Sequence, residues 1–268
     1  MKIPMLRIYT VAYLIFLYTP IVILPIFAFN NSTAIAFPLR GFTTQWFGAV
    51  FVDAELREAL INSLIVATAT SVLATTFGIF AARASTRYNF RGKGALMGLI
   101  MLPLVLPEMI MAMALLMVLL SLGVKLSLFT VILGHVLVCT PFAVAILTSA
   151  FQSLDKSLEE AAYDLGEGPI STFRLVTLPL VLPGVISAML ISFTISLDEF
   201  IISNFLKSGE ELLSTYIYSK LRFPKYVPNI MALGTILVVV SIALLTLAEY
   251  FRRRGVARTG GKNTGGFL

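Results

Sequence analysis

The sequence predicts an all-α protein that crosses a membrane six times, and three observations carry that expectation. Of the 268 residues, 58% are hydrophobic and only 13% are charged, against roughly 25% charged in ordinary soluble domains. The mean hydropathy is +0.92, so a water-soluble fold of this length would lack the polar residues to cover itself. Six apolar stretches reach the length of about 20 residues that a helix needs to span hydrocarbon, and none shows the short alternating segments of a membrane barrel. Cytosolic enzymes, disordered scaffolds and secreted disulfide modules are excluded together. The lone Cys139 permits no intrachain disulfide, and the lone His135 speaks against a histidine-based metal or proton-relay site.

The stretches are Tyr9–Phe29, Leu60–Ala82, Leu96–Leu120, Leu126–Ala150, Leu178–Ile202 and Ile230–Tyr250. The first follows Lys2 and Arg7 as a signal peptide would, and Ala34-Ile35-Ala36 imitates a cleavage site. Its apolar run exceeds the roughly 7–15 residues of a signal peptide, so it reads as a retained helix. Between Asn30 and Ala59 there is room for a short amphipathic helix near Gln45–Val52, with Trp46 and Phe47 suited to the interface. Pro103 and Pro107 break the third stretch, so Glu108 begins a resumed helix whose dipole favours its charge. Met109, Met111, Met113 and Met117 on that helix read as flexible core filling. On the fourth stretch His135 and Cys139 lie one turn apart, lack a third metal ligand and read as packing.

Orientation follows from the basic residues. Thirteen of the 20 Lys and Arg fall on the side of the two termini and seven on the other. The clusters Arg83, Arg87, Arg91, Lys93 and Arg252, Arg253, Arg254 flank helices directly, so both termini are expected in the cytoplasm. The net charge of +6 then records orientation, not nucleic-acid binding. By composition the chain divides into a first helix with its outer segment (1–59), a core of five helices (60–251) and a basic, disordered cytoplasmic tail (252–268).

The loop from 153 to 179 carries the most information. Ser157 followed by Glu160 has the spacing of a capping box, and Leu158, Ala161, Ala162 and Leu165 fall on one helical face. Gly166 suits the position just past a helix, and Pro169 the first turn of the next. Amphipathicity alone leaves two readings, a docking helix or a loop resting on lipid headgroups. The spacing Glu160-Ala161-Ala162, three residues, Gly166, nine residues, Val176, one residue, Leu178-Pro179 resembles the EAA loop of ABC-importer permeases, with Val176 the only departure from the usual Ile. That resemblance implies the type I ABC importer permease fold. It also implies that Glu160, Ala161, Ala162 and Gly166 form the coupling helix and turn that meet an ATPase subunit. No G-x-x-x-x-G-K-[ST] occurs, only the fragments Gly92-Lys93-Gly94 and Gly261-Lys262, so ATP falls to a separate chain and this one is not an enzyme.

The likeness runs over nearly the whole chain. Tyr18-Thr-Pro-Ile-Val-Ile, Gly41-Phe-Thr-Thr-Gln-Trp46, Arg87-Tyr-Asn-Phe-Arg-Gly-Lys93 and Ser192-Phe-Thr-Ile-Ser-Leu-Asp-Glu-Phe200 resemble the second permease subunit of spermidine/putrescine importers. Lys220–Tyr226 departs from that branch, which usually has a glycine and fewer bulky residues there.

Three carboxylates, Glu108, Asp198 and Glu199, fall within the apolar stretches. A charge at a helix centre costs at least about 2.5–3.5 kcal/mol on insertion scales, so each needs a role or a partner. Ser192, Ser196, Glu199 and Ser203 recur at i, i+4, i+7 and i+11, one polar stripe on an apolar helix. Two readings follow. Glu108, Asp198, Glu199 and Ser196 line a wet path for a cation, or the acids pair with basic residues of a partner and hold an assembly together.

The resemblance implies a permease subunit in a bacterial inner membrane, passing a small cationic solute, spermidine or putrescine foremost, that a binding protein delivers outside. It implies as partners a second permease, two ATP-hydrolysing subunits and membrane lipid. No cofactor, metal or nucleic acid is expected. The alternatives are an importer of aminoethylphosphonate, an opine or an amino-acid-like compound, and an ion-coupled secondary transporter with the acids as its ion site.

Overall fold

A computed structural model of the chain describes residues 3–259. Its helices are α1 (Ile3–Ala28), α2 (Gln45–Val52), α3 (Ala54–Arg87), α4 (Lys93–Met101), α5 (Glu108–Ser121), α6 (Leu128–Gln152), α7 (Lys156–Asp164), α8 (Pro169–Thr172), α9 (Leu178–Asp198), α10 (Ile201–Leu206), α11 (Leu213–Leu221) and α12 (Val227–Thr259). Among the described residues the only extended pairing is a single bridge between Asn30 and Phe42. Two units form, residues 1–53 with 217–268 and residues 54–216. α3 starts at Ala54, and α12 packs with α1 and α2 in the first unit.

In the first unit α1 packs on α12, and the segment after α1 folds around Asn30. The Asn30 side chain accepts from Arg40 N–H at 2.9 Å, and its carbonyl accepts from Trp46 Nε1 at 2.9 Å. Phe29 stacks on Phe42 and tilts against Phe47. The short helix read from the sequence forms at Gln45–Val52. Of the expected basic tail (252–268), residues 252–259 carry the helical backbone of α12, which runs to Thr259. Residues 260–268, and with them the rest of that expectation, lie outside the described residues.

The second unit is built on α3, α6 and α9. Lipid is as apolar as leucine, so packing of small residues, not escape from water, brings such helices together. Accordingly Ala59, Ala67, Ala74 and Ala82 form a fully buried stripe on α3, answered by Ala143 on α6 and Ala188 on α9. Contacts fix the directions. Gly78 lies against Ala143 and Leu147, and Arg87 reaches Leu154 O, so α3 and α6 run parallel. Gly184 meets Ala150, and Cys139 meets Ser192, so α9 runs back antiparallel.

Two parallel helices need a return between them. The residues from 88 to 127 must climb the length of α6, whose 25 residues rise about 37 Å at 1.5 Å each. That return is the third stretch read from the sequence, and it is not one straight helix: Lys93–Leu104 and Glu108–Ser121 meet at 106°. Pro103 and Pro107 remove backbone donors at the corner. With five continuous apolar helices, the bent pair brings the helices long and apolar enough to cross a membrane to six when it counts as one span.

Candidate functional site

At the end of the second unit where α3 stops, α7 is fastened by one buried carboxylate. Asp155 caps it, accepting from Ser157 N–H at 3.0 Å, which holds the Asp155 carboxyl below its usual range. The cap therefore lies two residues before the Ser157 expected from the capping-box spacing. Gly166 closes the helix at φ 89°, a left-handed backbone in which a Cβ is strained. Its N–H bonds Tyr163 O, and Glu167 N–H bonds Ala162 O, the paired bonds of a Schellman end. Pro169 then opens α8, and a π turn at Phe173–Thr177, in which Leu178 N–H reaches Phe173 O, leads into α9.

Glu159 joins these pieces. Its Oε2 lies 2.6 Å from Arg87 Nε, and its Oε1 accepts from Thr177 Oγ1 at 2.7 Å. Arg87 Nη2 also donates to Leu154 O at 3.2 Å. One carboxylate thus ties α7 to the end of α3 and to the turn before α9. Both side chains are over nine-tenths buried, so losing either partner would strand a charge at a cost of about 3–5 kcal/mol. Glu160 and Ala161 are exposed beside it, as are Leu158 and Leu165, while Ala162 faces inward. Three of the four apolar positions of this segment, Leu158, Ala161 and Leu165, are therefore open, and Ala162 is not.

A second constellation lies where helices break. α9 stops at Asp198, Glu199 is extended at ψ 112°, and α10 starts at Ile201. Glu199 Oε1 accepts from Ile202 N–H at 2.9 Å, and its carbonyl takes the hydroxyls of Ser203 and Ser214. α10 packs closely on α6, where a side chain at Gly134 would run into Ile202 and Leu206. α5, which begins with Glu108 at the corner of the bent pair, packs on α10. Non-helical backbone at membrane depth persists only inside protein or along a watery cavity. α5 and α10 each begin beside such a break and an acid, Glu108 and Glu199, and the two helices pack on each other.

The predicted path residues divide. Ser196 and Glu199 turn inward and do not line an open surface. Ser196 Oγ lies 2.7 Å from His135 Nδ1, with Ser203 Oγ 2.9 Å from Nε2, and Glu199 serves as the cap of α10. The polar stripe of α9 and α10 thus satisfies a buried histidine on α6, which is the packing role read for His135. Glu108 and Asp198 are exposed and have no cationic partner among the described residues. The methionines depart from the core role: Met111 is buried, but Met109 and Met117 are exposed because α5 touches its neighbours along one face only. Sequence reasoning missed Glu159, Arg87 and Thr177 as a unit. The one available hint was Glu159 and Ala162 at i and i+3, the buried face of α7.

A family profile described as binding-protein-dependent transport system inner membrane component matches residues 74–257. The spermidine/putrescine transport system permease protein PotC of Haemophilus influenzae is 35% identical over 240 residues, covering 89% of this chain and 93% of the relative. The putrescine transport system permease protein PotI of Escherichia coli is 33% identical over 258 residues, 91% of each. Among solved structures, a bacterial ABC transporter importing the acidic polysaccharide alginate aligns with a TM-score of 0.70 at 15% identity, over 92% of this chain and 94% of that one. An amino acid ABC transporter with histidines aligns at 0.57 and 17% identity, over 80% and 100%. At such identities the structural likeness is one of fold.

Proposed function

This chain belongs to the family of inner membrane components of binding-protein-dependent transport systems, and on that premise we propose that it forms the path by which an importer takes in spermidine and putrescine. It is a multi-pass transport subunit, not itself an enzyme. The observation that carries the substrate class is the pair Glu108 and Asp198, exposed acids beside two helix breaks with no cation of their own among the described residues. A polyamine is an aliphatic chain studded with ammonium groups. Carboxylates replace its hydration while apolar walls tolerate its methylenes.

The lever is α7. Its exposed Leu158, Ala161 and Leu165 offer a small apolar face to an ATP-hydrolysing subunit, with Glu160 at the edge. Gly166 permits the turn behind it. Movement of α7 passes through Glu159 to α3 by Arg87 and to α9 by Thr177. The Arg87 end carries Arg83, Arg91, Lys93, Lys156 and Arg174, against Arg57, Lys125 and Lys207 at the other end of the same unit. This favours a cytoplasmic Arg87 end and cytoplasmic termini. A second permease, two ATPase subunits and an external binding protein complete the proposed importer.

One observation favours a second reading. Arg222 and Lys225 stand exposed on the loop before α12, the wrong sign to greet a cation. They suit a solute bearing an anionic group, such as aminoethylphosphonate or an opine. Uptake of labelled spermidine and putrescine by vesicles holding the complete complex decides between the two. Saturable, ATP-dependent uptake is expected. Its absence from an assembled, ATP-hydrolysing complex would discard the polyamine, and uptake of the anionic solute would replace it.

A further inference from the structure

One turn before Arg87, α3 carries a second arginine that the clasp around Glu159 does not use. The Arg83 guanidinium lies 4.5 Å from the centre of the Phe173 ring, and its Nε is buried with no hydrogen-bond partner among the described residues. The ring meets the charge through its face, but the donors of a guanidinium point outward in its own plane. A buried donor left unmade is costly, the more so on a charged group. Beside it opens a cavity of about 420 Å³ lined by Ile79, Phe80, Arg83, Tyr88, Pro169 and Phe173. On the other side of Pro169 and Ile170 a hollow of about 630 Å³ carries Arg174 and Ser171. No carboxylate lines either space. The chemistry asks for an anion with an apolar body.

The position says where such an anion comes from. Along α3, Ile61, Leu64, Ile65, Val72, Leu73, Phe77 and Phe80 are exposed apolar side chains. Past Arg83 follow Arg87, Tyr88, Arg91 and Lys93. The cavity thus sits where a lipid-facing surface gives way to a basic turn, the level of the headgroups. We propose that the phosphate of an anionic phospholipid seats on Arg83, with its acyl chains along Ile79 and Phe80. Basic pockets between membrane helices on the cytoplasmic side recognise such headgroups by the same means. The inference is independent of the transported solute. Only the choice of leaflet rests on the orientation proposed above, and the test reads the site in either leaflet.

The test is native mass spectrometry of the full-length chain in its complex, in micelles doped equally with phosphatidylglycerol and phosphatidylcholine. The unmutated complex should retain phosphatidylglycerol preferentially. Arg83→Gln should lower that retention about fivefold, the factor expected for one cation near a membrane surface, and leave phosphatidylcholine unchanged. Arg91→Gln, on the exposed turn, should behave as the unmutated complex. Equal losses in both variants would reduce the effect to diffuse charge and overturn the site. Displacement of the lipid by millimolar glycerol 3-phosphate would overturn the lipid in favour of a soluble phosphate. Should Arg83→Gln fail to assemble, a photoactivatable phosphatidylglycerol on the unmutated complex keeps the proposal open to refutation. Crosslinks should fall within residues 79–88 and 169–175, and crosslinks confined elsewhere would sink it.

Discussion

Glu159 and Asp198 are both acids beside a helix end in the same unit, yet their surroundings differ in kind. Glu159 is buried, 2.6 Å from an arginine, and takes a threonine hydroxyl on its other oxygen. Asp198 is exposed and has no ionic partner among the described residues. A satisfied buried ion pair acts as a joint, because its members cannot part without stranding a charge in a poor solvent. An unsatisfied acid at membrane depth keeps its capacity for a cation that arrives from elsewhere. The comparison teaches that acids in a membrane protein need sorting by whether their charge is already answered. Residue type and depth alone put Glu159 and Asp198 in the wrong order of interest.

The largest expected effect breaks the joint. Glu159→Ala leaves Arg87 buried without its partner and should cost about 3–5 kcal/mol locally. In reconstituted complex the expected outcome is ATP hydrolysis that no longer drives uptake, with the chain still inserted in the membrane. The exchanged pair Arg87→Glu with Glu159→Arg should recover part of the coupling, which neither single variant does. Glu160→Ala, one residue away but exposed, should leave the joint intact and alter only ATPase co-purification. If Glu159→Ala and Glu160→Ala prove indistinguishable in both readouts, the distinction between joint and docking face fails.

Next in size comes the unanswered acid. Asp198→Asn should lower ATP-dependent polyamine uptake about tenfold, equivalent to about 1.4 kcal/mol, without changing the melting of the complex. Glu108→Asn should act in the same direction. Glu199→Gln should do the reverse: it weakens the cap on Ile202 N–H and therefore lowers thermal stability, with uptake falling only as far as folded protein is lost. A thermal shift for Asp198→Asn as large as for Glu199→Gln would erase the comparison between the two neighbours.

Much of this was legible in the sequence, and the divide has a physical cause. Span lengths follow from hydropathy, the bend at 105–107 from Pro103 and Pro107, and the closing turn of α7 from Gly166, all signals that sit within a few residues of the feature. The clasp was not legible, because Arg87 and Glu159 are 72 positions apart and a basic turn near a membrane already has a topological explanation. The stripe Ser192, Ser196, Ser203 was visible as a stripe, but its facing was not. Inside a bilayer a polar face points away from lipid whether it meets a water path or another helix, and here His135, 61 positions from Ser196, supplies the answer.

A smaller effect tests the turn behind α7. Gly166→Ala places a Cβ at φ 89°, at a cost of about 1 kcal/mol. Nothing lies within 4 Å of that Cβ, so the strain is purely of the backbone. The expected result is partial uncoupling of ATP hydrolysis from uptake, milder than with Glu159→Ala, and partial relief in Gly166→Asn, since asparagine tolerates the left-handed region better.

The smallest effect concerns the start of the same helix, where two caps compete as explanations. The carboxylate of Asp155 accepts from Ser157 N–H, and from the Ser157 hydroxyl to a lesser degree, so its pKa lies below the usual value of 3.8. A carboxyl whose folded pKa is depressed contributes stability that is present above its ordinary value and disappears as the pH falls through the folded one. Hydrogen exchange at the Ser157 amide should therefore quicken only under strongly acidic conditions, beyond the intrinsic change of exchange rate with pH. Asp155→Asn keeps an acceptor without the charge and should remove that acid dependence while holding the helix start. Asp155→Ala should fray the first turn of α7 at neutral pH. Ser157→Ala keeps the backbone donor and should fray it far less. The opposite ranking of the two alanine variants would return the cap to Ser157 and with it the capping box that the spacing to Glu160 first indicated.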